Sequence, residues 1–189
     1  MTTADPTHRA ARADTILDRR SLALGAGAIG VAMAAVVGGA LAFEHWGGYI
    51  PCALCLQQRV PYYVGAPVML AAALLALAGR RGLALAGIVA GGLLMAYAAY
   101  LGVYHAGAEW GFWPGPTDCG LTQGGVAAMR GGDVLSQLDA TRPPACDEAA
   151  GRFLGLSFAG WQVVAALGLI VACLALLARG GRLRPLPRG

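Results

Sequence analysis

Four stretches of this sequence run for a membrane's thickness without a single charge: Leu22–Phe43, Val60–Ala78, Leu83–Tyr104 and Ser157–Ala178. A helix needs about 20 apolar residues to cross the hydrocarbon core. A soluble domain built round one core has no use for four such runs. The chain is 57% hydrophobic and only 13% charged, whereas soluble domains carry about a quarter charged residues. The fold class this predicts is an all-α membrane protein, a four-helix transmembrane bundle with two outer loops. Residues 1–21 are read as a disordered N-terminal tail, 22–178 as the membrane domain and 179–189 as a basic tail. The wealth of Gly and Ala permits close helix approach, although high-GC coding yields the same composition.

Arginine sets the orientation. The chain has no lysine, and its basic residues gather at the ends of the apolar runs. Arg9, Arg12, Arg19 and Arg20 precede run one. Arg80 and Arg81 link runs two and three, and Arg179, Arg182, Arg184 and Arg188 follow run four. The opposite side holds only Arg59, Arg130, Arg142 and Arg152. Positive loops stay in the cytoplasm, so both termini are expected there, with residues 44–59 and 105–156 outside. The net charge of +4 is not arranged as a nucleic-acid footprint, which is a basic stripe on one face. The Arg19-Arg20 pair and Ala40-Leu41-Ala42 also fit a cleavable export signal. The run between them is longer than the 7–15 residues usual for a signal core.

The cysteines sort by compartment. Cys52, Cys55, Cys119 and Cys146 all fall in the outward segments, where disulfides persist. Cys173 lies inside run four and is read as a small buried hydrophobe. Cys52-Ala53-Leu54-Cys55 is a C-x-x-C, compatible with redox chemistry or metal binding. If it opens a helix, the dipole lowers its thiol pKa, and Arg59 shares a face with Cys55 at i+4. Pro61 disfavours a helical Val60, so the alternative places the motif on a turn, with the helix starting at Pro61. Cys119 and Cys146 bracket a Gly-, Pro- and Asp-rich loop. No second short Cys pair completes a zinc site, and no metal is assigned. A structural disulfide and an exchangeable one both remain open for Cys119 and Cys146.

Pro51-Cys52-Ala53-Leu54-Cys55-Leu56-Gln57-Gln58-Arg59 resembles the P-C-x-L-C-x-x-x-R signature of the disulfide bond formation protein B (DsbB) family. Tyr104-His105-Ala106-Gly107-Ala108-Glu109-Trp110, with Trp113-Pro114-Gly115-Pro116-Thr117-Asp118-Cys119, is similar to one branch of it. Cys146-Asp147-Glu148 and Phe153-Leu154-Gly155-Leu156-Ser157-Phe158-Ala159-Gly160-Trp161 resemble its approach to the last helix. The likeness covers about residues 40 to 178. Gln58 stands where some members carry an acid, and Ala108 where valine is frequent.

The resemblance implies an inner-membrane thiol oxidoreductase with Cys52, Cys55, Cys119 and Cys146 as its redox residues. Its partner would be a periplasmic thioredoxin-like disulfide oxidase (DsbA-like), and its cofactor a membrane quinone, ubiquinone or menaquinone. The partner's thiolate would attack the Cys119–Cys146 disulfide. Cys146 would then attack the Cys52–Cys55 pair, leaving Cys55 as a thiolate facing the quinone. Exchange of this kind follows thiolate access and leaving-group pKa. Arg59 would stabilise negative charge on the sulfur and the quinone oxygen. His105, Leu101 and Phe158 are further candidates for contact with the ring. Otherwise Arg59 is an interfacial arginine and Leu101 a lipid-facing residue. Trp46, Trp110, Trp113 and Trp161 are read as belt aromatics, and Glu109 and Asp118 as solvated acids. The rival readings are a non-enzymatic membrane protein with structural disulfides in its outer loops, and a four-helix quinone reductase of vitamin K epoxide reductase type, whose C-x-x-C sits elsewhere in the bundle.

Overall fold

The computed structural model describes residues 6–115, Asp147, Ala149 and 151–181, with side chains from Asp18 to Gly180. Helices α1 (Pro6–His45), α2 (Ala53–Leu77), α3 (Arg81–Glu109) and α4 (Phe158–Gly181) contain the four apolar runs. Each is long and apolar enough to cross a membrane. Successive helices pack side by side, α1 on α2, α2 on α3 and α3 on α4, and the ring closes only loosely between α4 and α1. The core between them holds Met33, Met69, Met95, Ile88 and Tyr62 among many alanines. Unbranched methionines fill the irregular gaps that small residues leave.

At one end of the bundle Arg81 donates to Asp18 at 2.7 Å and to the carbonyl of Gly180. That joins the start of α1's span, the α2–α3 turn and the end of α4. The turn is tight because Gly79, at φ 77°, ends α2 in the left-handed region. Its N–H donates to Ala76 and that of Arg80 to Leu75, which satisfies the last carbonyls of the helix.

The other end carries the chemistry. Helix α2 begins at Ala53 with Cys52 as its N-cap, and it continues through Pro61 and Pro67. Of the two starts open to the sequence, the earlier is the one observed. Each internal proline removes one backbone bond, yet unwinding the helix would strand several more polar groups where no water can satisfy them. Helix α4 is entered through a hairpin that the sequence did not suggest. Strands β1 (Arg152–Phe153) and β2 (Leu156–Ser157) pair antiparallel. Their turn places Leu154 at φ 52° and Gly155 at φ 83°, as a type I′ turn requires. Ser157 then caps α4 by accepting the N–H of Gly160 at 3.2 Å.

Helix α3 ends on Gly111 at φ 74°, and the chain folds back over it. The indole of Trp113 donates to the Tyr104 carbonyl at 2.8 Å and stacks on the Tyr104 ring. A Cβ on Gly107 would collide with that indole. We therefore expect Gly107→Val to lower stability by about 1–3 kcal/mol, the range for overpacking, read as a drop in Tm in detergent. An unchanged Tm would mean that the indole does not rest there.

Candidate functional site

The site grows from the first turn of α2. Cys52 has φ −74° and ψ 170°, an extended N-cap conformation. Its sulfur accepts the Cys55 backbone N–H at 3.2 Å and lies 2.9 Å from the Cys55 sulfur. It is only 3% exposed and packs with Leu54, Cys55 and Tyr104. The Cys52 thiol is pushed down to about 4. The hydrogen bond with the Cys55 sulfur does most of this. Burial opposes it, and the hydrogen bond and charge of His105 add to it. Cys52 is thus the stabilised thiolate of the pair.

Behind Cys52 stands α3. His105 is 3% exposed, and its Nε2 lies 3.7 Å from the Cys52 sulfur. Its Nδ1 meets the Gln58 amide nitrogen at 2.8 Å, and that amide also donates to the Leu101 carbonyl at 3.4 Å. One turn further along α3, Glu109 places Oε1 3.6 Å from His105 Nε2. The Glu109 side chain is 3% exposed and its Oε2 has no hydrogen-bond partner among the described residues. The expectation that Glu109 is solvated is therefore corrected. Helix α3 runs on to Glu109, so a position that the sequence placed at the edge of a loop lies instead on the last turn of a helix beside His105.

The ligand atoms of Cys52, Cys55 and His105 lie within 4.8 Å of one another. The two sulfurs, at 2.9 Å, are closer than the roughly 3.8 Å that two thiolates keep on a tetrahedral zinc. The arrangement is that of two free cysteines with their sulfurs in direct contact.

The other sulfur faces a different way. Cys55 lines a cavity of about 360 Å³ between α1, α2 and α4, at the seam where the ring of helices closes least tightly. Its walls are mostly apolar, and Arg59 and Glu44 meet there at 2.6 Å. Phe158 sits between Phe43 and Tyr49, with ring centres at 5.3 and 5.4 Å. Tyr62 and Gln162 also line the cavity, and among the described residues the Tyr62 hydroxyl and the Gln162 amide nitrogen are buried without a hydrogen-bond partner.

The candidates named from sequence therefore fall in two groups. Cys55, Arg59 and Phe158 share the cavity, whereas His105 and Leu101 lie on the Cys52 side and do not line it. Leu101 is buried, and its carbonyl rather than its side chain enters the network. Cys119 and Cys146 lie outside the described residues. Cys173 is buried in the core. Of the four tryptophans, Trp161 and Trp113 bond backbone carbonyls and Trp46 is almost fully exposed. Sequence reasoning missed Glu44, whose spacing from Arg59 gives no local signal. It also missed the Gln58–His105–Glu109 network, of which only the i,i+4 spacing of His105 and Glu109 was legible.

A family model described as "Disulfide bond formation protein DsbB" matches residues 21–176. No curated protein matches the chain, and no solved structure does.

Proposed function

The chain belongs to the DsbB family, and from that premise we propose that it reoxidises a periplasmic thioredoxin-like disulfide oxidase and hands the electrons to a membrane quinone. Membership makes it a multi-pass membrane protein of disulfide-bond formation. The observation that carries the finer reading is the position of Cys55. One sulfur of an exchange-ready pair opens into an apolar cavity beside a guanidinium, within a membrane-spanning helix.

The cavity fits a quinone headgroup by its chemistry. Small-molecule pockets are mostly apolar with a few placed polar groups and begin at about 300 Å³. Phe43, Tyr49 and Phe158 offer faces and edges to a flat ring. The Tyr62 hydroxyl and the Gln162 amide lack partners that ring oxygens would supply. The seam between α1 and α4 is the natural way in from lipid. When bound, a quinone supplies a two-electron, two-proton acceptor.

The residues then divide the work. Arg59, held by Glu44, presents positive charge where a ring oxygen gains electrons, and such preorganised charge is strong in a dry site. Cys55 carries the electrons to the cavity. Cys52 receives the incoming thiolate from the outer loop, for which we assign Cys146, with Cys119 as the sulfur attacked by the partner. The arginine distribution supports cytoplasmic termini and a periplasmic site. A quinone is strong enough as an oxidant to recharge a partner whose own potential lies near −120 mV.

The test is quinone reduction by the purified protein, with a reduced thioredoxin-like oxidase as electron donor. We expect the quinone's absorbance to fall in step with donor oxidation, one quinone per disulfide formed. No quinone loss, with the donor staying reduced, would overturn the reading in favour of structural disulfides.

A further inference from the structure

The two sulfurs face two environments, and the Cys52 side contains an acid with no assigned task. Glu109 is buried, one of its oxygens is unpartnered and the other is 3.6 Å from His105 Nε2. Leaving a buried carboxylate oxygen unsatisfied is expensive. Its nearest titratable neighbour is the imidazole that touches Cys52. We propose that Glu109 and His105 form the proton-holding pair of Cys52, with His105 Nε2 exchanging the proton with the sulfur and Glu109 acting as a positioning residue that holds the imidazolium. The Cys52 sulfur and Glu109 Oε1 approach the same nitrogen, Nε2, while Gln58 holds Nδ1, so the carboxylate acts on the imidazolium by its charge beside the thiol and Gln58 fixes the ring.

This inference rests on the proposed oxidoreductase reading and adds where the proton goes. When the Cys52–Cys55 bond re-forms, the Cys52 thiolate has already given its proton to His105 Nε2, the Cys55 S–H bond breaks and one S–S bond forms. Two electrons leave to the quinone and two protons are released, one from Cys55 and one from the imidazolium. When an incoming thiolate later resolves from Cys52, the same imidazolium meets the sulfur as it becomes a thiolate. With its amide turned over, Gln58 accepts from Nδ1–H both in the imidazolium and in the neutral ring whose Nε2 is free to take the proton, and gives up only its 3.4 Å bond to Leu101. Among the described residues, the other titratable or charged groups around the trio are Cys55 and Arg59 of α2, Tyr104 of α3, and Glu44 of α1, which is paired to Arg59. None of them bonds His105.

The experiment needs neither quinone nor partner. The reduced full-length protein, in detergent, is alkylated with iodoacetamide across a pH series, and modification of Cys52 is read by peptide mass spectrometry. The unaltered protein should keep reacting at Cys52 well below the pH at which an ordinary thiol stops. Glu109→Gln preserves shape and removes the charge. We expect its Cys52 profile to move to higher pH, with the rate on the acid side falling about tenfold, as a one-unit shift implies. In a His105→Gln background the same Glu109→Gln change should alter the profile by less than about twofold, because the carboxylate acts through the ring. Glu109→Asp should restore part of the low-pH reactivity. An unmoved profile in Glu109→Gln, or an equal shift in the His105→Gln background, would overturn the proposal. If Glu109→Gln does not fold, the comparison of Glu109→Asp with the unaltered protein decides, because a shorter carboxylate must raise the Cys52 profile partway. A protein that shows these shifts yet never reduces quinone would refute the oxidoreductase reading and leave the proton pair standing.

Discussion

Replacing Cys55 with serine is expected to reduce donor-dependent quinone reduction to the blank rate, a loss of roughly a thousandfold or more, the scale on which a covalent group acts. The reasoning is geometric. Of the two sulfurs only that of Cys55 lines the cavity, whereas Cys52 is turned towards His105. A hydroxyl in place of the Cys55 sulfur leaves Cys52 without an internal partner, so any disulfide that Cys52 forms with an incoming thiol is trapped. The same variant should therefore accumulate a disulfide between Cys52 and a loop cysteine, formed when the Cys52 thiolate attacks the Cys119–Cys146 bond and releases the other loop thiol, and read by mass spectrometry as a crosslinked peptide pair that reductant separates. Cys173→Ser supplies the contrast. That thiol is buried in the core, away from both the cavity and the pair, and its loss should change turnover by less than about twofold. Full activity in Cys55→Ser would sink the electron path, and trapping at a sulfur other than Cys52 would sink its direction.

The bundle was readable because a membrane imposes a coarse rule. An uncharged run of sufficient length must be a helix, since no other single segment satisfies its backbone in lipid. Leu22–Phe43, Val60–Ala78, Leu83–Tyr104 and Ser157–Ala178 accordingly lie in α1 to α4 almost residue for residue in their apolar parts. The start of α2 was ambiguous because the local penalty at Val60-Pro61 is real. Only the surrounding low dielectric decides that the helix continues. The hairpin before α4 was missed because Leu154 occupies a conformation for which asparagine or glycine is the usual signal.

The site was legible where chemistry is local in sequence and hidden where it is not. Cys52, Cys55 and Arg59 fall within two turns of one helix, so spacing alone places them together. Glu44 reaches Arg59 from another helix, and Gln58 reaches His105 from another helix, whereas Glu109 meets His105 at i+4 on the same one. A carboxylate beside a Gly-, Trp- and Pro-rich segment reads as solvated in any sequence, since burial of a side chain at a helix end is not set by its local residues. His105 is grouped with the ring contacts because it ends the third apolar run, and Leu101 because it lies one turn before His105. The structure separates them by azimuth round the bundle, which a linear sequence does not encode.

Arg59→Met should raise the apparent KM for quinone by about 10- to 100-fold, the span expected when a hydrogen bond to a charged group worth about 1.5–3 kcal/mol is lost, while the KM for the thiol donor changes by less than about twofold. The asymmetry follows from placement. Arg59 faces the cavity and Glu44, with its side chain 13% exposed. The donor meets the loop cysteines and reaches the core only through Cys52. Methionine keeps the length and apolar bulk of the stem, so the change removes charge and hydrogen bonds rather than packing. It also leaves Glu44 facing an apolar cavity without a counter-charge, which disfavours electron density arriving on a nearby ring. Glu44→Gln is the informative companion. It keeps the guanidinium and frees it from a 2.6 Å ion pair, so its quinone KM should move far less than that of Arg59→Met. Steady-state kinetics with each substrate varied in turn separates the cases. A parallel rise in both constants would show that Arg59 supports the bundle as a whole. A larger effect from Glu44→Gln than from Arg59→Met would show that the carboxylate, not the guanidinium, is the group the ring requires.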